Sequence, residues 1–226
     1  MNLLLLGHGK TGSLVSEVAS HRHHHVRVLR SAENPRGTAL VADNLRNVDV
    51  VIDFTTPSSV MENIAACARA GKDLVVGTTG WHDRMTEVRD LVSSSGIGMV
   101  FAANFSVGIN LFFDIARAAS AALKQQYFGQ IFERHHVHKK DAPSGTAVAL
   151  QRVIKDSCGQ DLEIVSFREG DVVGMHEIVL DSLCDSIYLC HDAKSRRGFA
   201  EGAVRAAEWI PGKKGLYDFR DVWREL

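Results

Sequence analysis

The sequence has no excess of charge of either sign: 26 basic residues face 27 acidic ones, a formal net charge of -1. A surface built for nucleic acid or an anionic membrane needs a basic surplus, so the expected partner is a small molecule. There is no long hydrophobic run either. Leu3 to Leu6 is cut off at Gly7 and has no basic leader, too short for a membrane span or a secretion signal, and is read as a buried strand. Paired cysteines are missing too: Cys67, Cys158, Cys184 and Cys190 lie far apart without C-x-x-C spacing. That argues against a disulfide framework and for a reducing, cytoplasmic compartment. No internal repeat, low-complexity linker or H-E-x-x-H pattern occurs, and no metal is expected.

What is present fits an ordinary globular chain of 226 residues, 45% hydrophobic and 23% charged, enough for one large or two small domains. Short apolar runs alternate with helical spacing through the first hundred residues. Strands are predicted at 3–6, 26–29, 48–54, 73–76 and 98–101, with helices from Gly12 to Ala19, from a cap at Ser58 or Ser59 to a closing Gly71, and over 83–94. Such alternation indicates a parallel sheet covered on both faces. The character changes near Asn104. A helix over 109–123, a strand over 129–136 and a helix over 145–157 precede three strands at 162–168, 172–181 and 186–190, which suggest an antiparallel or mixed sheet. A helix over 199–209 then packs back on the first part. The reading is an α/β protein: a Rossmann-type parallel-sheet domain (1–105 and 200–226) and a smaller α+β domain with a mixed sheet (106–199).

Gly7-His8-Gly9-Lys10-Thr11-Gly12 has the G-x-G-x-x-G spacing between a strand and a helix. Glycines there let a pyrophosphate reach backbone N–H groups at a helix N-terminus, where the dipole favours an anion. A tight structural turn is the other reading of the same letters. After the second strand, Arg30 stands where an acid would bind the ribose of NAD, and an arginine suits the extra phosphate of NADP; Glu33 reaching the ribose is the alternative. Gly77-Thr78-Thr79-Gly80 follows another strand, at the end where such folds bind ligands.

The densest chemistry lies at Glu133 to Thr146, where His135, His136, His138, Lys139 and Lys140 crowd together. Strand alternation would set His136 and His138 on the face opposite His135. Ser144-Gly145-Thr146 opens a helix and offers donors to a carboxylate. Imidazole and ammonium beside such a cradle suit proton delivery after hydride transfer. A metal site and a solvated basic strand end are the competing readings. The second cluster, His21 to His25, falls at the end of the first helix and is read as surface.

Together these segments resemble the dihydrodipicolinate reductase family. The match is closest in Glu133-x-His135-His136-x-x-Lys139-x-Asp141-Ala142-Pro143-Ser144-Gly145-Thr146-Ala147. Supporting segments run in order: the glycine turn, Asp53-Phe54-Thr55, Gly77 to Gly80, Asn104 to Asn110, Val172-Val173-Gly174-x-His176, His191-x-Ala193-x-x-Arg196 and Gly215 to Asp218. The resemblance implies reduction of a cyclic unsaturated dicarboxylate to tetrahydrodipicolinate in lysine biosynthesis, with NADPH or NADH as donor. It implies His135 as proton donor or acceptor and Lys139 as proton donor. His136, Ser144, Gly145, Thr146 and Arg196 would bind substrate. Gly7, His8, Gly9, Lys10, Thr11, Gly12, Arg30, Gly77, Thr78, Thr79, Ala102, Ala103, Asn104 and Phe105 would meet the cofactor. A homotetramer built through the second domain's sheet is implied as well; closing the two domains would exclude water from the hydride step.

The chain departs from the family in two places. Only a brief link, 31–47, joins the second strand to the third, and Lys10-Thr11 stands in a glycine turn one residue tighter than a common form. Two other functions compete: a non-enzymatic dinucleotide sensor, and a nicotinamide enzyme acting on an aldehyde or amino acid. Lys139 and the Pro143-Ser144-Gly145-Thr146 turn speak against the first, and the two carboxylate-binding elements against the second.

Overall fold

A computed structural model describes residues 1–226. The chain forms two compact units, Met1–Ser106 with Arg197–Leu226, and Val107–Arg196. The first unit begins with β1 (Asn2–Leu6), α1 (Lys10–His21), β2 (His25–Leu29) and a one-turn α2 (Ala42–Leu45). It continues through β3 (Val50–Asp53), α3 (Pro57–Arg69), β4 (Asp73–Val76), α4 (Met85–Ser95) and β5 (Gly98–Phe101). The second unit holds α5 (Val107–Ala119), β6 (Phe128–His135), α6 (Gly145–Cys158), β7 (Glu163–Arg168), β8 (Met175–Asp181) and β9 (Ser186–Asp192). The chain then returns to the first unit with α7 (Arg197–Trp209), β10 (Gly215–Asp218) and α8 (Phe219–Val222).

In the first unit all strands are parallel, in the order β10-β5-β4-β3-β1-β2. Leu3, Leu4, Leu5 and Leu6 are all buried because helices cover both faces, so the strand needs no polar alternation. Each leucine so enclosed contributes roughly 1.5–3 kcal/mol. The register aligns Leu29, Leu6, Asp53, Val76, Phe101 and Asp218 across the sheet, so the strands finish at one level. The order reverses at β1, with β2 on one side and β3 on the other, and the carboxyl ends of β1 and β3 flank the crevice where such sheets bind ligands.

Some expectations need correction. Ser58 and Ser59 lie inside α3: Thr56 is the N-cap and Pro57 takes the first helical position, where a missing N–H costs nothing. The expected helix over 109–123 is α-helical only to Ala119 and tightens into a 3-10 turn over Ser120–Lys124. The tail segment Gly215–Asp218 is a strand, pairing with β5 from Gly215 opposite Gly98 to Asp218 opposite Phe101. The His21 to His25 cluster lies at the surface as expected, where His24 Nε2 and Arg22 both bond Glu208 of α7, at 2.7 and 2.6 Å.

The brief link after β2 is ordered by polar bonds. Asp53 at the end of β3 is fully buried, and its Oδ1 accepts from Thr55 N (2.9 Å), Thr55 Oγ1 (2.7 Å) and Thr78 Oγ1 (2.7 Å). Its Oδ2 accepts from Asn63 Nδ2 (2.8 Å); Asn63 Oδ1 accepts from Asn34 Nδ2 (3.0 Å), and Asn34 Oδ1 from Ala39 N (3.0 Å). Burial pushes the Asp53 carboxyl up from its ordinary range, against the pull of bonds from Thr78, Thr55 and Asn63.

In the second unit the sheet order is β7-β6-β8-β9, with β6 and β7 parallel and the other pairs antiparallel, a mixed sheet. The crossover through α6 makes β6 and β7 parallel, whereas β8 and β9 are joined by a tight turn. Ile131, Ile178 and Leu180 on one face pack with Phe112 and Phe113 of α5 and with Leu150 and Ile154 of α6. On β6 the same inward face carries Glu133 and His135. The strand stops at His135, one residue short of the expectation, because Lys139 N closes a turn on His136 O (3.1 Å). His136 and His138 therefore do not alternate on a strand. The strand expected from Val172 begins at Met175.

Replacing Asn63 by alanine strands Asp53 Oδ2 and Asn34 in the core. The expected cost is about 3 kcal/mol, read as a lowered urea midpoint with an unchanged slope.

Candidate active site

At the carboxyl edge of the parallel sheet the glycine turn is shaped by close approach. Gly7 has φ +86°, and a Cβ there would lie 2.4 Å from Phe54 O; one on Gly12 would lie 2.5 Å from Gly7 O. Gly9, by contrast, faces open space and is the N-cap of α1. No side chain caps that helix and no acid sits in its first turn, so its leading N–H groups remain available to an anion. His8 and Lys10 are exposed beside them, and Thr11 is half-buried.

Other segments predicted to meet the cofactor follow the neighbouring strand ends at the same level. Gly77, Thr78 and Thr79 follow β4, and Ala102, Ala103, Asn104 and Phe105 follow β5. Thr78's hydroxyl is turned inward onto Asp53, while Thr79 is exposed. Phe105 is buried between Phe54 and Phe219, with ring centroids at 6.2 and 4.9 Å. Arg30 is exposed, and its backbone N donates to Glu33 Oε2 (2.7 Å), which fixes that carboxylate at the end of β2.

The second unit gathers the titratable groups. Glu133 has no solvent exposure. Its Oε2 bonds His135 Nδ1; its Oε1 accepts from Arg168 Nη2 (2.9 Å) and Ser144 N (3.3 Å). Pairing brings these groups together, since Glu133 lies opposite His176 of β8 and Ser166 of β7, and His135 opposite Arg168. Burial pushes the Glu133 carboxyl up, but Arg168, Ser166 and His135 outweigh it and leave it below the ordinary range. Burial lowers His135, only partly offset by Glu133, with Lys139 and Arg168 lowering it further. The His176 ring lies edge-on to His135, centroids 5.2 Å apart, and burial with the nearby His135 pushes it down to about 4.

Ser144 caps α6 through Oγ, which accepts from Ala147 N (3.2 Å) and also meets His176 Nε2 (3.1 Å). Its hydroxyl is thus committed within the protein. Gly145 faces open space and Thr146 is half-buried in the first turn of this 14-residue helix. Lys139 Nζ is held by both oxygens of Asp141 at 2.8 Å. Arg196 Nη2 meets His136 Nε2 at 3.4 Å, which places two of the predicted substrate-binding residues side by side. Glu133, His135 and His176 are close enough together to suggest a cation site. The carboxylate is already committed to Arg168, His135 and a backbone N–H, however, and the cationic Arg168 opposes a metal ion there.

Glu133, Arg168 and His176 escaped the sequence-based choice of site residues. Glu133 had a signal: it shares strand parity with the buried Ile131 and with His135, so a charge falls on the apolar side of β6. Arg168 and His176 arrive from other strands through pairings that no local pattern announces.

Two family models match, the dihydrodipicolinate reductase N-terminus over residues 1–105 and its C-terminus over residues 108–223. The chain belongs to the dihydrodipicolinate reductase family. The 4-hydroxy-tetrahydrodipicolinate reductase of Christiangramia forsetii is 34% identical to it, covering 100% of this chain and 99% of that protein. The enzyme of the same name from Chromobacterium violaceum is 40% identical over 79% of this chain and 74% of its own length. Among solved structures, a dipicolinate-bound dihydrodipicolinate reductase from Paenisporosarcina has TM-score 0.81 at 23% identity, covering 98% of this chain and 99% of that one. The two share a fold. A dehydrogenase from C. glutamicum solved with DAP has TM-score 0.57 at 11% identity, covering 98% and 93%. Family membership makes the protein a nicotinamide-dependent reductase of lysine and diaminopimelate synthesis.

The low value at His176 has a consequence for stability. From the ordinary 6.5 down to about 4, the unfolded chain takes up a proton at this residue that the folded chain refuses. Stability is therefore complete above that window and falls through it on acidification, by about 3 kcal/mol for this residue. Urea titrations across the window should show a shallower loss for His176→Gln than for the native protein.

Proposed function

We propose that this protein reduces 4-hydroxy-tetrahydrodipicolinate to tetrahydrodipicolinate with NAD(P)H, in the diaminopimelate route to lysine. The observation that carries the reading is the buried Glu133–His135 pair set beside the open first turn of α6, with Lys139 on the adjoining turn. Proton-handling groups next to a carboxylate cradle are what reduction of a cyclic dicarboxylate needs. The dipicolinate held by the relative of like fold is itself a cyclic dicarboxylate.

Residues 1–105 with 200–226 are the dinucleotide-binding part in this proposal, and 106–199 the substrate-binding and tetramerisation part. The uncapped α1 N-terminus and the open space at Gly9 fit a pyrophosphate. Gly7, His8, Gly9, Lys10, Thr11 and Gly12 would hold it, with Arg30, Gly77 to Thr79 and Ala102 to Phe105 along the rest of the nucleotide. A bound nicotinamide supplies the hydride. Arg30 suits the 2′-phosphate of NADPH and the Glu33 carboxylate the ribose diol of NADH, so either nucleotide serves.

Thr146 and Gly145 present helix N–H groups to one substrate carboxylate, and Ser144 keeps that turn in place by its cap. Arg196 beside His136 receives the other through its guanidinium fork. The reaction consumes one hydride and one proton and releases the 4-hydroxyl as water. Lys139 donates a proton, and His135 gives or takes one. A cytoplasmic location belongs to the same proposal, in keeping with four free cysteines.

The reading extends to a homotetramer. The sheet face of the second unit opposite its helices carries Phe128, Phe132, Val165, Phe167, Val179 and Tyr188, with Phe128 and Tyr188 79% and 66% exposed. Charged residues such as Arg134, Glu163 and Glu177 share this face, and exposed aromatic surface set among them fits a copy of itself. Tyr188→Lys combined with Phe128→Lys should reduce the sedimentation coefficient to that of smaller species; an unchanged value would remove this face from the assembly.

The enzymatic reading is tested by nucleotide oxidation in the presence of substrate made in place by its upstream synthase. Substrate-dependent oxidation is expected with NADPH and NADH, and the ratio of the two rates gives the preference. His135→Ala and Lys139→Ala should each lose roughly 10²–10⁴-fold in kcat while keeping nucleotide affinity. Folded protein that binds nucleotide yet oxidises none would overturn the assignment.

A further inference from the structure

The Glu133 carboxylate makes one bond to the imidazole and two to groups that are not themselves proton carriers. Oε2 faces His135 Nδ1, while Oε1 takes Arg168 Nη2 at 2.9 Å and the Ser144 backbone N–H at 3.3 Å. An ionised carboxylate only accepts, so the ring nitrogen facing it must carry a proton. The other nitrogen, Nε2, faces the bare backbone of Gly174, where a Cβ would stand 2.9 Å away. Arg168 Nη2 also donates to Asp141 O (2.6 Å), at the residue whose side chain holds Lys139. One carboxylate thus ties together the imidazole, the start of α6 and the lysine turn.

We propose that Glu133 is a positioning residue that locks His135 in the tautomer protonated on Nδ1, leaving Nε2 as the atom that exchanges the proton. The proposal deepens the reductase reading and rests on it for the kinetic consequence, though not for the tautomer. Groups facing His135 from every packed element are accounted for: Glu133 on its own strand, Arg168 on β7, His176 on β8, and Lys139 with Asp141 on the following turn. Among them Glu133 favours the charged imidazole, whereas Lys139 and Arg168 oppose it. Without Glu133 the ring would be free to rotate or change tautomer, and its protonation would shift to lower pH. Carboxylate–imidazole pairs elsewhere owe much of their efficiency to this orienting role.

The first readout needs no substrate. Nitrogen-15 imidazole spectra of the native protein at neutral pH, with His135 assigned by difference from His135→Gln, should show a protonated Nδ1 and an unprotonated Nε2. Glu133→Gln should give a mixture of tautomers. In turnover, Glu133→Gln should lower kcat roughly 10²-fold or more and leave the nucleotide KM unchanged. The limb of its kcat–pH profile due to His135 should move to lower pH. Should Glu133→Gln fail to fold because Arg168 loses its partner, the double variant Glu133→Gln/Arg168→Met restores the charge balance and carries the same tautomer expectation, while its pH limb is not compared because Arg168 itself opposes the charged imidazole. A native protein protonated on Nε2, or a folded variant with native kcat and an unmoved limb, would overturn the proposal. A native protein with the expected tautomer but no reductase activity would leave the dyad standing and remove the reaction assigned to it.

Discussion

A carboxylate removed from water must be met by donors on both oxygens, or the fold that buries it loses more than it gains. Each unit of this chain solves that problem once at depth, and much of the surrounding architecture follows from the solution. Asp53 sits at the end of the central strands and collects Thr55, Thr78 and Asn63. Glu133 sits inside the mixed sheet and collects His135, Arg168 and the Ser144 N–H. In both cases one donor is two residues away and the others come from different elements, so the acid acts as a fastener between elements as well as a member of one.

The two acids serve different ends. Asp53 uses side chains that carry no chemistry, and through Asn63 and Asn34 it anchors the brief link after β2. It keeps the loops at the strand ends in place while the glycine turn stays open. Glu133 uses side chains that do carry chemistry, which makes its hydrogen bonds determinants of which atom is free to react. The low position of His176 has the same origin, since burial among cations and other imidazoles disfavours its charged form. Strands hold the acid–imidazole pair, whereas the groups proposed to face substrate stand on a helix start and a turn.

What the letters reveal and conceal follows these physical lines. Strands β1, β3 and β4 are legible because each is a short apolar run closed by glycine, or by threonines and a proline, the mark of a sheet buried on both faces. The glycine turn is legible because close backbone approach admits no other residue at Gly7 or Gly12. β10 is harder to see: all four of its residues are only partly buried at a sheet edge, and two lysines precede it. The link over 31–47 has no periodicity because it is held by Asn34, Glu33 and Asn44 together with two isolated core leucines, Leu40 and Leu45, rather than by a continuous apolar face. In the site, His135 and Lys139 stand out by residue type and by resemblance. Arg168 does not, and His176 occurs only within a supporting segment of the resemblance, because strand register alone brings the two to Glu133.

The first unit is not continuous along the chain. Its outermost strand and the helix that lies against Phe105, so close that a Cβ on Gly202 would fall 1.8 Å from that carbonyl, come from the last thirty residues. During synthesis, residues 107–196 are therefore complete while the six-stranded sheet still lacks an edge and part of its cover. Until β10 has left the ribosome, β5 presents unpaired backbone groups of the kind that recruit foreign strands. The segment after residue 196 thus closes the sheet that β1 began, and the first unit is finished only after the second.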